Sequence, residues 1–363
     1  MTGPDVTIVV VPRQRFSQTV FSLESIYEHK QRPFKLIYVD GASPPRVARY
    51  LRNQAKLKEF TLIRSNHFLS PNESRNLALA RVQTKYVVFL ENEVVVWPGW
   101  LEALVDCAEE TGAWVVGALC LLGAPGREIV HYAGAANHVR EVDGRRSFYY
   151  ERPFFNTEYK YLPKLRRTRS EMAEFHCMLV RTECFDRVGK LDEQLLSFFP
   201  DKDFGLTVSE AGGETYFEPR AVVSFAAVQQ LAWSDVPFFV LRWSDLWNDI
   251  SLRRFCEKWR LASDDPTSII CHAWGIQTRQ SFLWKIRPLI DPLTAGRSFW
   301  IERHILAPLE KRISGWMARR VTEKRKHDVE VFESTAERER TMTRRQRKSD
   351  HNVLNNRPSH ASR

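Results

Sequence analysis

Carboxylates are the residues of this chain whose type and spacing could do chemistry. Glu91 and Glu93 flank Asn92 directly after the apolar run Tyr86–Leu90, and apolar sequence resumes at Val94. On an extended chain their side chains share one face, roughly 6.5–7 Å apart. An acidic pair there must bind something, form a turn or remain costly. A second pair, Asp201 and Asp203, follows Pro200, and Asp40 precedes Gly41. Such groups can hold a hard cation through oxygen or take a proton from an attacking hydroxyl. Plainer readings exist. Asp40 suits a turn, and Pro200-Asp201-Lys202-Asp203 has turn composition. Arg75 could face solvent. Glu91 and Glu93, with apolar sequence on both sides, are the hardest to read as passive. His131 and His176 read as satisfied core or loop histidines and receive no role.

Other chemistries are disfavoured. The sequence has no G-x-G-x-x-G, no G-x-x-x-x-G-K-[ST] and no G-x-S-x-G, which argues against dinucleotide dehydrogenases, P-loop NTPases and serine hydrolases. The six cysteines, at 107, 120, 177, 184, 256 and 271, form no C-x-x-C pair. They read as buried thiols of a reduced compartment, with no zinc signal. No run of eighteen apolar residues appears, and the N-terminus lacks a basic segment with a cleavable apolar core. A cytoplasmic location is expected, with membrane association open. Of the net charge of +10, the stretch 301–363 holds most, with 16 Lys/Arg against 9 Asp/Glu. That tail mixes acids with bases and has little aromatic interleaving, which disfavours nucleic acid as a partner.

The elements that must position the carboxylates alternate. Continuous apolar runs at 6–11, 35–40, 60–65, 86–90 and 114–122 read as buried strands. Between them lie helical patterns near 20–27, at 45–56, from Ser70 onward and at 98–112. Ser70-Pro71-Asn72-Glu73 is a capping box with proline at the first helical position. The alternation implies an α/β fold with a mostly parallel, doubly wound sheet, whose ligands bind outside the carboxyl ends of the strands. Those ends carry Pro12-Arg13, Asp40-Gly41, Arg64-Ser65-Asn66 and Glu91-Asn92-Glu93. The acidic pair therefore falls where a ligand should be. Residues 123–170 are irregular, aromatic and basic, and read as a binding surface or a mobile loop. Residues 231–300 look helical.

At this point a resemblance becomes specific. The segments "VTIVVVPRQR", "LIYVDGAS", "NESRNLALARVQTKYVVFLENEVVVWPGWLEALV", "CMLVRTECFDRVGKLDEQL" and "PDKDFGLTVSEAGGETYFEPRAVV" resemble, in order and spacing, an inverting family 2 glycosyltransferase of the GT-A type over about residues 6–225. The resemblance implies transfer of a sugar from a nucleoside diphosphate sugar, UDP-sugars first, to an acceptor hydroxyl on a glycan, lipid-linked molecule or protein. It further implies Mg2+ or Mn2+ at the diphosphate. By the same resemblance, Pro12, Arg13, Asp40, Arg75, Asn76 and Glu91 would bind the donor and Glu93 the metal. Asp201, with Asp203 as the alternative, would be the base.

Two departures stand out. The acidic motif is Glu-Asn-Glu rather than Asp-x-Asp, and the place where many relatives carry a histidine after "P-x-a-x-v" is Phe225. They favour, as the alternative reading, a degenerate member that binds nucleotide sugar or glycan without turnover.

The expected organisation is a GT-A domain over 1–230, a helical extension over 231–320 and a basic, disordered tail over 321–363. In the extension, Trp243, Trp247, Phe255 and Trp259 read as packing residues. Ile301, Ile305, Leu309, Ile313 and Trp316 recur at helical spacing among Lys311, Arg312, Arg319 and Arg320. Such a helix either docks on the domain or lies in a membrane surface.

Overall fold

The computed structural model describes residues 4–123, 127–162, 164–225, 231–262, 265–293, 297–323 and 329–332. Its first half alternates as β1 (Val6–Val11), α1 (Thr19–Glu28), β2 (Lys35–Gly41), α2 (Pro45–Leu57), β3 (Thr61–Ser65), α3 (Pro71–Leu79), β4 (Tyr86–Glu91), β5 (Val94–Val96), α4 (Trp100–Thr111) and β6 (Val115–Leu122). Then come β7 (Ile129–Tyr132), β8 (Ala136–Val142), β9 (Arg145–Glu151), β10 (Thr168–Ser170), β11 (Cys177–Arg181), α5 (Cys184–Val188), α6 (Pro200–Glu210) and β12 (Thr215–Phe225). The extension is α7 (Val236–Arg242), α8 (Asp245–Trp259), α9 (Pro266–Gln280), α10 (Arg287–Ile290), α11 (Ser298–Ile301) and α12 (Ala307–Glu323), followed by β13 (Val329–Phe332).

One sheet organises the molecule. Its order is β10-β12-β6-β11-β4-β1-β2-β3-β13, with β5 on β12 and β7 on β6. The pairs β4-β1, β1-β2, β2-β3 and β12-β6 are parallel, while β11 runs antiparallel between β4 and β6. Every residue of β1 is buried, because helices cover both faces, and a β-branched run suits a strand with no wet side. Alternation sorts its side chains: Val6, Ile8 and Val10 join the core under α1, α2 and α4, while Val9 and Val11 join the opposite core with Leu69, Phe175 and Phe204.

Local signals act as the sequence suggests. The backbone N–H of Ser70 donates to Glu73 Oε2 at 3.1 Å, closing the capping box of α3. Gly99 and Gly112, at φ 76° and 72°, bracket α4 in a conformation that only glycine adopts without strain. In the extension, Trp247, Phe255 and Trp259 are buried, the last two in a cluster with Phe148, Phe199 and Phe239.

Two expectations need correction. The stretch 123–170 is not irregular among its described residues: it supplies β7, the antiparallel hairpin β8-β9 and β10. The expected disordered tail begins too early at residue 321. α12 continues to Glu323, and Val329–Phe332 pair antiparallel with β3; the rest of 321–363 lies outside the described residues.

Candidate active site

Register decides what meets at the carboxyl end of the sheet. Val11 is opposite Glu91, so the chain leaving β1 carries Arg13 over the acidic pair. Cys177 is opposite Leu90 on the antiparallel β11, so His176 and Glu174 enter the same end from the other direction. Phe225 closes β12 opposite Val94. Arg13, Glu91, Glu174 and His176, with the first turn of α6 and with α7 and α9 of the extension, line a cavity of 380 Å³. Its wall includes Arg13, Arg75, Arg152, Lys202 and Arg242 as cations, and Glu91, Glu174 and Asp201 as anions.

Glu91 is the anchor. Arg13 Nη1 donates to its Oε2 at 2.9 Å, and Arg75 Nη2 approaches Oε1 at 3.5 Å. Burial opposes ionisation, but Arg13, His176 and Arg75 outweigh it and hold Glu91 down at about 2. Glu93 differs. Its side chain is fully buried, absent from the cavity wall, and enclosed by Arg15 Nε at 3.6 Å and Arg13 Nε at 3.9 Å, with no hydrogen bond to either oxygen. Burial pushes it up to about 7, against the pull of those two guanidiniums. The two glutamates thus do different work, and the one expected to bind metal does not reach the cavity.

A cation has another candidate place. His131, Glu174 and His176 each offer a ligand atom within 4.8 Å of the others. Glu174 Oε2 lies 3.2 Å from His131 Nε2 and 3.1 Å from His176 Nδ1, without a hydrogen bond. Two imidazoles and a carboxylate are a donor set that can hold a divalent transition ion. The rings of both histidines pack on Phe225, at 5.7 and 4.6 Å between centroids. Where the resemblance led to the expectation of a histidine, this chain has Phe225 with two histidines against it. His176 Nε2 also accepts from Arg13, so a cation bound through that nitrogen must displace a guanidinium. Sequence reasoning passed over these histidines because they lie 45 positions apart; the E-x-H spacing of Glu174 and His176 was the available signal.

The other expected residues divide. Arg75 is buried, stacks over Phe175 at 3.7 Å and lines the cavity; burial lowers it to about 10. Asp201 lines the cavity, paired with Lys202 at 3.1 Å. Asp203 does not line it: its oxygens take Trp259 Nε1 and Lys258 Nζ, each at 2.8 Å, tying α6 to α8. Asp40 is opposite Arg64 in the sheet, and its carboxylate holds that guanidinium with the N–H and hydroxyl of Ser43. Asn76 clasps Leu191 through both backbone groups, N–H and C=O. Pro12 packs beside Gly41. Asp40, Asn76 and Pro12 are therefore structural neighbours of the cavity, not its wall.

Arg242 was not foreseen. It is buried at the end of α7, its Nε and Nη1 make no hydrogen bond, and among the described residues no carboxylate lies within ion-pair distance. Burial, with Arg13 adding, lowers it to about 9. Its one hydrogen bond runs from Nη2 to the Ser197 carbonyl at 3.4 Å, and Glu91 and Glu93 act on it only from beyond ion-pair distance, so the desolvated guanidinium is costly to bury.

Comparison with known proteins follows the geometry. A 27% identical protein of Sinorhizobium fredii, y4gI, itself uncharacterized, aligns over 223 residues, 60% of this chain; the chain spans 24% of that curated relative. Solved structures with some similarity are GalNAc-T7 with UDP, GalNAc and Mn2+ (TM-score 0.49, 15% identity, 71% of this chain and 55% of that one), and the mannosyltransferase PcManGT of Pyrobaculum calidifontis with GDP-Man and Mn2+ (0.46, 14%, 87% and 86%). A third is S. aureus TarS with UDP-GlcNAc (0.44, 13%, 85% and 79%). The family description "Glycosyltransferase like family 2" matches residues 4–239. By that match over most of its length, the chain belongs to glycosyltransferase family 2.

Proposed function

We propose that the cavity binds a nucleoside diphosphate sugar and transfers the sugar, with inversion, to an acceptor hydroxyl. The observation that carries this reading is a single cavity walled by both the Asp201 carboxylate and the Arg242 guanidinium, two of whose nitrogens make no hydrogen bond. Arg242, with Arg13 and Arg75 beside it, offers charge-assisted donors to a diphosphate. Asp201 is the base: it takes the acceptor proton as the new C–O bond forms and the bond to the diphosphate breaks. Lys202, 3.1 Å away, orients that carboxylate. Asp203 supports Asp201 by pinning α6 rather than by touching substrate. If a divalent cation takes part, His131, Glu174 and His176 are its holders, and it would neutralise charge on the leaving diphosphate.

The experiment is a thermal-shift screen of UDP-, GDP- and other nucleotide sugars, with and without Mn2+, followed by turnover of any hit. A ligand at 100-fold its Kd adds about 2.7 kcal/mol. No stabilisation by any nucleotide sugar sinks the reading.

A second reading is binding without turnover. The enclosure of Glu93 by Arg13 and Arg15, and of Asp40 by Arg64, favours it. Stabilisation by a nucleotide sugar with neither transfer nor hydrolysis would select it.

A further inference from the structure

We propose that α9, α11 and α12 form a face that seats on an anionic lipid bilayer and presents a membrane-anchored acceptor to the cavity. The acceptor half rests on the function proposed above; the membrane half does not.

The starting observation is that α12 docks with the wrong side inward. Its buried positions are Glu310, Ser314 and Ala318, while Leu309, Ile313 and Trp316 are 51%, 53% and 54% exposed. A helix on a water-soluble domain normally turns its apolar stripe to the core. Here the docked side joins the apolar packing of Met317, Ala318 and Val321 against Phe238, Leu241 and Trp247 to polar contacts. Arg279 of α9 pairs with Glu310 at 2.9 Å, and Trp247 Nε1 donates to Thr322 at 3.2 Å. Among the described residues, Leu309, Ile313 and Trp316 are left exposed on the opposite side.

The stripe is not isolated. Phe299 and Trp300 of α11, Ile305 after it, and Ile269, Ile270 and Trp274 of α9 are all about half exposed or more. Exposed apolar surface on this scale marks an interaction site. No helix among the described residues is long and apolar enough to cross a membrane, so a lipid contact would be interfacial.

Charge selects the occupant. Lys311, Arg312, Arg319 and Arg320 of α12 are exposed against one exposed acid, Glu323, since Glu310 faces inward. A second copy of this face would bring the same sign of charge. So would residues 333–363, with eight Lys/Arg against four Asp/Glu. An anionic bilayer brings the opposite sign, and tryptophan with flanking basic residues is the composition that binds its interface.

Position supplies the link to chemistry. Ile270 and Trp274 of α9, the helix tied to α12 through Arg279 and Glu310, are exposed and also line the cavity. A lipid anchor lying against α9 would thus hold its head group at the cavity mouth.

The test uses the full chain, without donor, in flotation with phosphatidylcholine vesicles alone or mixed with phosphatidylglycerol. Binding should require phosphatidylglycerol, weaken with salt, and fall at least about tenfold in the L309S/I313S/W316S variant. All three sites are exposed, so melting and nucleotide-sugar stabilisation should not change. Equal binding by the variant, or no vesicle binding by the parent, overturns the proposal. A parent dimer in light scattering that the variant abolishes, without vesicle binding, assigns the face to a second copy and also overturns it. Vesicle binding without any transfer would sink the catalytic reading and the acceptor half while leaving the membrane half standing. Transfer that is no faster to a vesicle-borne acceptor than to its soluble head group would remove the acceptor half alone.

Discussion

The indole N–H of Trp259 donates to Oδ1 of Asp203 at 2.8 Å, while two residues earlier on the same helix Asp201 faces the cavity. Two positions on one helix thus separate a structural carboxylate from the one proposed as the base. Asp203→Asn should lower stability by about 1–3 kcal/mol, because it weakens the bonds to Trp259 and Lys258. Asp201→Asn should melt like the parent and lose about 10²–10⁴ in rate with donor affinity kept. Calorimetry and steady-state kinetics on both variants read the split. Loss of turnover with unchanged melting in Asp203→Asn would move the base two residues along.

Glu91 and Glu93 predict opposite pH slopes. Glu93 in the folded chain is raised from 4.5 to about 7, so folding favours its protonated form. The stability it allows is fully present below 4.5 and falls as pH rises toward 7, by on the order of 3 kcal/mol. Glu91 is lowered to about 2; its contribution is present above 4.5 and lost as pH falls through 2. Glu93→Gln should flatten the decline between 4.5 and 7 in denaturant unfolding, and an unchanged slope would refute the burial argument.

Arg242 should cost the free protein stability and serve the bound one. Arg242→Met should melt no lower than the parent, since it removes a buried cation whose one hydrogen bond is a long one to the Ser197 carbonyl. The same change should weaken nucleotide-sugar binding by on the order of 10²-fold. Calorimetric titration measures the second effect, and unchanged affinity would take Arg242 out of the site.

Asp40→Ala should destabilise the fold. It strips partners from Ser43 and from Arg64, whose guanidinium is largely buried, for about 1–3 kcal/mol. A parental melting temperature would show that the Arg64 pair contributes nothing and would return Asp40 to the donor site.

The alternation of strands and helices was legible because it rests on local patterns: β-branched runs, a capping box, glycines at helix ends. The cavity's position followed from topology alone. Its chemistry was less legible, because the family pattern fixes where a residue stands and not what else reaches it. Arg13 and Arg15 are two residues apart, and only the turn after β1 brings both over Glu93. Arg242 comes from beyond the sheet altogether, and no periodicity in α7 distinguishes it. His131 and His176 join through the antiparallel placement of β7 and β11, which a reading of parallel strands did not include.

β13 lies on the outer side of β3, where the parallel sheet would otherwise end. Strand rims left open are templates for another chain, and four residues of backbone here act as a hem. Cutting the chain at residue 320 to remove its basic end would also remove that hem and bare the hydrogen-bonding groups of Leu62–Ser65. Clumping of such a shortened protein would then report rim-to-rim stitching of sheets, and a charge contrast such as Phe332→Lys in the uncut chain would separate the two effects.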